Sequence, residues 1–187
     1  MTPTVKPSAM TSSFTLSPRD ARAIFEYNRA VFDRFSRRLS RLPWKTVTAE
    51  RQTGHHTLFD TLVHILHVQE AWLAYIVPGR TKELSTRFRE ADRRPTTWQA
   101  FRTYSDRVWT ETGAVVRSLS ARDLRRVVKA PWMPGRYTVA DALLQATVEE
   151  AHHLGEVIGA LWQDELPSPA MTWIEVRRTP TRSPRRS

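Results

Sequence analysis

Residues 138 to 164 read TVADALLQATVEEAHHLGEVIGALWQD, and this stretch decides the fold. Thr138 is followed three residues later by Asp141, the side-chain pattern that satisfies free amides at a helix start. Val139, Leu143, Leu144, Val148, Val157, Ile158, Leu161 and Trp162 then fall at helical spacing, so a long amphipathic helix runs to about Asp164 before Pro167 and Pro169 end it. The same start signal recurs at Ser17/Asp20, Thr57/Asp60 and Ser120/Asp123. Behind Ser17, Pro18 sits where a missing N–H costs nothing, and Ile24, Tyr27, Val31, Phe35 and Leu39 mark a helix that can run to Leu42, before Pro43. The segment from Thr57 to Val77, closed by Pro78 and Gly79, is apolar on so many sides (Leu58, Leu62, Ile65, Leu66, Leu73, Ile76) that it must be nearly buried. A third long helix spans about Thr96 to Ser118 on Trp98, Phe101, Tyr104, Val108, Val115 and Val116. A charged stretch from Arg80 to Arg94 leads into it. A short helical turn follows Ser120, and in VVKAPWMPGRYTV (127–139) Pro131, Pro134 and Gly135 forbid a helix and predict an extended loop or hairpin. The pattern predicts an all-α chain, a four-helix bundle with a long connection between its second and third helices.

Composition narrows the classes. A length of 187 residues suits one domain, and 40% hydrophobic with 26% charged residues is ordinary for a folded chain. No cysteine is present, which excludes disulfides, a thiolate nucleophile and zinc-thiolate sites. No apolar run reaches the roughly 18 residues of a membrane helix, and the polar start MTPTVKPSAMTSSF lacks a secretory block. A cytoplasmic protein with no membrane partner is expected. The net charge of +10 is divided unevenly, because residues 177–187, RRTPTRSPRRS, hold five arginines and no acid. We expect a flexible segment at 1–16, a folded body at 17–176, and a disordered Arg-rich tail at 177–187. Charge without a recognition motif implies only non-specific contact with nucleic acid, through that tail.

The six histidines fall in three places: His55 and His56 before the second helix, His64 and His67 within it, and His152 and His153 in the fourth. The helical ones carry the chemistry. An imidazole inside an apolar helix needs a hydrogen bond, a metal or water, and His64 is in that position. Glu149 and His153, four residues apart, share a helical face. Two imidazoles and a carboxylate (His64, Glu149, His153) would then suit a divalent ion such as zinc, nickel or iron, with positions left for water or substrate. A surface ion pair and a hydrogen-bonded core histidine fit the same spacing. His152 competes with His153 for the inward direction, His67 is a substitute or supporting ligand, and Asp60 either orients His64 or merely caps its helix. Ligating imidazoles must be neutral, so binding should weaken toward about pH 5. Arg29 and Arg136 are candidates for an anionic ligand group, and Trp132, in the Pro/Gly-rich loop, for a substrate contact or a hydrophobic plug.

LFDTLVHILHVQEAWL and TVADALLQATVEEAHHLGEVIGALW resemble the two signature helices of the DinB/YfiT-like superfamily of four-helix-bundle proteins. Tyr27-Asn28-Arg29 is similar to the family's first helix and Pro167 through Trp173-Ile174 to its end. The most specific piece is His152-His153-Leu154-Gly155-Glu156. The resemblance implies a divalent metal held by one histidine of the second helix and an H-x-x-x-H pair of the last, which here become His64 and His153. Glu149 stands where the family has the remaining histidine, so that the site either carries a carboxylate ligand or has lapsed. The resemblance also implies a homodimer, a small-molecule substrate, and either thiol-dependent transfer or isomerisation with a low-molecular-weight thiol or metal-assisted hydrolysis. Glu149, if not a ligand, would be the general base, with Glu156 a weaker candidate. The competing class is a non-catalytic, stress-associated binding protein whose basic tail touches nucleic acid.

Overall fold

In the computed structural model, residues 15–90 and 94–176 are described. The Arg-rich tail and all but the last two residues of the expected flexible N-terminal segment lie outside them; Leu16, one of those two, is buried against the core.

The chain is mostly helical. Helix α1 (Pro18–Leu39) opens on Ser17, whose hydroxyl accepts from the Asp20 amide while the Asp20 carboxylate accepts from the Ser17 amide. A short α2 (Trp44–Val47) leads to α3 (Leu58–Gln69), capped by Thr57. The chain continues without a break into the π-helical segment Glu70–Ile76. Its wide turns show in the bonds from the Val77 amide to the Trp72 carbonyl at 2.9 Å and from the Arg80 amide to the Tyr75 carbonyl at 2.7 Å. Helix α4 (Thr81–Glu90) lies in the connection read from the sequence only as charged, and it holds on through buried Leu84. Helix α5 (Trp98–Ser118) is capped by Thr97, and α6 (Ala121–Leu124) by Ser120. Strands β1 (Val127–Val128) and β2 (Tyr137–Thr138) pair antiparallel, Val127 opposite Thr138, so the Pro/Gly-rich segment is a hairpin. Helix α7 (Val139–Gln163) starts on the Thr138/Asp141 capping box, and α8 (Trp173–Val176) is the last element described.

Helices α1, α3, α5 and α7 share one apolar core: α3 packs on α7 and α5, and α1 on the same two. Phe32 meets Trp109 at 5.6 Å and Phe101 at 6.2 Å between ring centroids, and each such ring removed from water contributes roughly 1.5–3 kcal/mol. Gly113 lets α1 approach α5, since a Cβ there would lie 3.2 Å from the Phe25 ring. The segment after α7 straps α1: Arg34 and Arg38 donate to the carbonyls of Ala170 and Pro167, Tyr27 donates to that of Met171, and Trp173 lies 4.9 Å from the Tyr27 ring. Two polar ties cross the interior, Asn28 to Thr147 at 3.0 Å and Gln69 to Glu150 at 3.1 Å. Complete burial pushes the Glu150 carboxyl well above the ordinary range. Among the described residues no helix is long and apolar enough to cross a membrane.

Candidate metal centre

Helices α3 and α7 pack side by side, and their histidines meet where they touch. His64 projects from the middle of α3 and His153 from α7, with ring centroids 4.6 Å apart at 82°. Of the α7 doublet, it is His153 that turns inward, 7% exposed, while His152 faces solvent. The third ring comes from an unpredicted place. His55, in the loop before α3, stacks on His64 at 3.7 Å and 22° and meets His153 edge-on at 4.7 Å. One nitrogen from each of His55, His64 and His153 lies within 4.8 Å of the other two.

The loop delivers His55 by a local fold of its own. The Arg51 amide donates to the His56 carbonyl at 2.6 Å, the His56 amide to Thr53 at 3.1 Å, and the Thr57 amide to His55 at 2.7 Å. His56 closes this turn with φ at +62°, a left-handed conformation that histidine tolerates better than branched residues do. Arg51 fastens the loop to its surroundings, donating to the carbonyls of Thr46 and Ala49 and pairing with Asp164 just past α7.

The electrostatics favour a cation. Burial, then the neighbouring His55 and His153, push the His64 imidazole down from 6.5 to about 3. Burial and His153 likewise lower His55. His64 is therefore held in its neutral, lone-pair-bearing form well below the ordinary imidazole value of 6.5. Three nitrogens bound to one tetrahedral ion at 2.0–2.1 Å would lie about 3.4 Å apart, so a modest contraction of the cluster meets the requirement. Neutral imidazoles are the donor type that suits zinc, nickel or iron.

The other predicted residues are placed as follows. Glu149 is held at Oε1 by Gln145, 2.7 Å away, and its Oε2 lies 3.3 Å from Nε2 of His153. It adjoins the cluster through His153 and is not one of the three mutually close donors, which are His55, His64 and His153. Glu156 sits on the other side of the same ring, Oε2 2.9 Å from Nδ1. Burial would raise its carboxyl, but the bond to His153 and a backbone bond from Gly54 hold it below the usual carboxylate range. Asp60 is engaged by the Thr57 hydroxyl at 2.7 Å and by Arg94, so of its two readings the cap is the one realised. His67 packs edge-on to Tyr104 at 5.6 Å. Arg29 and Arg136 are exposed, and Trp132 is half-exposed against Trp72 at 5.5 Å.

Sequence reading missed His55 because helical spacing says nothing of a loop. The signal was the doublet itself: two histidines after Gly54, directly before the Thr57 cap, are fixed close to the first turn of the helix that carries His64.

A family model described as the DinB superfamily matches residues 27–157. An uncharacterized protein of Bacillus subtilis (strain 168), YizA, is 27% identical over 143 residues, which cover 76% of this chain and 85% of that protein. The matched region carries α3, His55, His64 and His153, so the histidine cluster lies within the part that defines the family. With more than half of its length matched by that model, the chain belongs to the DinB superfamily.

Proposed function

We propose that this chain is a divalent-metal-dependent enzyme in which His55, His64 and His153 hold one ion of zinc, nickel or iron and Glu149 works beside it as general base. The convergence of the three imidazoles carries this reading. Such an ion supplies a lowered pKa to a bound water or thiol, which creates a nucleophile near neutral pH. The chain's own groups do the rest. Gln145 fixes one oxygen of Glu149 and leaves the other, beside His153, to accept the proton of the attacking group. With no cysteine of its own the chain would borrow a low-molecular-weight thiol for transfer or isomerisation, and the same arrangement with water performs hydrolysis. The reading includes a four-helix bundle with a long connection between α3 and α5, a small-molecule substrate, a homodimer and a cytoplasmic location. The pairwise packing of α1, α3, α5 and α7 supports the first of these.

The test is metal content by mass spectrometry on untagged protein purified without chelator, beside His55→Ala, His64→Ala and Glu149→Ala. About one ion per chain is expected in the wild type and in Glu149→Ala, with loss in both histidine variants. Loss in Glu149→Ala as well would make it a ligand instead of a base. No ion in the wild type, even after incubation with the three metals, would overturn the metalloenzyme reading in favour of a binding protein.

A further inference from the structure

Glu156 touches two parts of the histidine cluster that otherwise belong to different elements. On its own helix it faces Nδ1 of His153 at 2.9 Å. Across the gap its carboxylate accepts from the backbone amide of Gly54, the residue immediately before His55. The approach is close: a Cβ on Gly54 would stand 3.3 Å from Oε1 of Glu156. His152 also faces this carboxylate, at 3.9 Å from Oε1, but from the solvent side.

The two contacts have one consequence each. Both ring nitrogens of His153 face a carboxylate, Nδ1 that of Glu156 at 2.9 Å and Nε2 that of Glu149 at 3.3 Å; the shorter contact favours the tautomer with the proton on Nδ1 and the lone pair on Nε2, and fixes the ring's rotation. The bond to Gly54 fixes the backbone from which His55 hangs. The loop's other bonds close it on itself or tie it through Arg51 toward α2 and Asp164; the Gly54 bond ties the His55 end of it to the middle of α7.

We infer that Glu156 is the positioning residue of the centre, one carboxylate that sets the ring of His153 and straps the His55 loop to α7 so that the loop-borne and helix-borne imidazoles face the same point. The inference rests on the three-histidine metal reading for its purpose, but the strap itself is a property of the metal-free protein. Its role differs from the base role of Glu149 because its contacts are to the groups that carry the imidazoles; its carboxylate also lies within 4.8 Å of nitrogens of His152 and His153, a second set of mutually close donors.

The experiment uses full-length wild type, Glu156→Ala, Glu156→Gln and Gly54→Ala, each checked for an unchanged helical spectrum. In metal-free protein, Gly54 amide exchange and the His153 imidazole nitrogen shifts are read by NMR; cobalt affinity is then measured by its visible absorption against a competing chelator. In Glu156→Ala the Gly54 amide should lose protection, His153 should lose its single-tautomer signature, and cobalt affinity should fall about 10–100-fold, the usual loss when a ligand's supporting carboxylate is removed. Glu156→Gln, which keeps an oxygen acceptor, should recover part of that loss. Gly54→Ala should weaken cobalt from the other side of the same contact, by less. An unchanged Gly54 amide and His153 tautomer in Glu156→Ala would overturn the strap. Altered NMR signals with unchanged cobalt affinity would overturn its positioning role. A wild type that binds no cobalt would sink the metal reading alone, with the NMR signals still deciding whether Glu156 straps the loop.

Discussion

The segment from α3 into the π-helical turn carries two polar clusters, and they are opposites. At Glu70 both carboxylate oxygens are engaged: Oε1 accepts from Arg87 at 3.1 Å and Arg107 at 2.8 Å, and Oε2 from the Tyr104 hydroxyl at 2.8 Å, while Nη2 of Arg107 is buried without a hydrogen-bond partner. Burial would raise the Glu70 carboxyl, but the bonds from Arg107 and Tyr104 and the charges of both arginines leave it below its ordinary value of 4.5. Two turns earlier, His64 faces two other imidazoles, each of which makes protonation harder. The first cluster is a set of opposite charges in contact and holds α4 and α5 to the π-helical segment. The second is a set of three imidazoles with one nitrogen each within 4.8 Å of the other two, and with the carboxylates of Glu149 and Glu156 against His153. An anion held between two guanidiniums and a phenol ties helices together, whereas imidazoles that converge and oppose one another's protonation are the arrangement a ligand site uses.

Removing the anion from the complete cluster should have the largest effect on the metal-free fold. Glu70→Ala leaves two guanidiniums facing each other and should cost about 3 kcal/mol, the low end for a broken buried pair because both arginines are a third exposed. Urea denaturation checks it, and a loss under about 1 kcal/mol would mean the network is surface-like. Tyr104→Phe deletes one bond to the charged carboxylate and should cost about 1.5 kcal/mol in the same assay. His64→Ala in metal-free protein should fall within about 1 kcal/mol of the wild type, because a lost packing contact is offset by removal of a poorly solvated imidazole. A large destabilisation by His64→Ala would make the cluster structural and erase the contrast.

The smallest effect is best read as a slope against pH. His64 is lowered from 6.5 in the fold, so the unfolded chain binds its proton first, and the stability contribution present above about pH 6.5 is lost as pH falls toward about 3. Glu70 is lowered from 4.5, so its contribution persists until pH falls below about that value. Between about pH 6.5 and 4.5 the metal-free wild type should therefore lose stability with falling pH relative to His64→Ala; the raised Glu150 carboxyl acts in the opposite direction and the lowered His55 and His67 in the same direction in both proteins, so the difference between the two profiles reads His64. Superimposable pH profiles for the two proteins would contradict the burial of His64.

Much of this was legible residue by residue. All four Ser/Thr–Asp pairs cap helices where the spacing placed them, because a cap is made by groups three residues apart and needs nothing from the rest of the chain. The long helices, the hairpin at 127–138 and the inward candidacy of His64 and His153 follow from local periodicity and punctuation in the same way. Helices α2 and α4 were not read, since short or strongly polar segments give little periodic signal, and the π-helical continuation of α3 differs from an α-helix by a hydrogen-bond register that leaves no mark on composition.

The sequence by itself determined the long helices, their capped starts and the candidacy of His64 and of the His152–His153 doublet, while the packing of α7 turned His153 inward. Only the tertiary structure decided which third group joins them. His55 and Glu149 lie 94 positions apart, and nothing local ranks a loop imidazole against a helical carboxylate; the choice is made where the strained turn at His56, the Arg51 anchor and the Glu156 contact to Gly54 bring the loop onto α7. Helix spacing is set by bonds along the chain, whereas a site is set by which chains of bonds come to lie side by side.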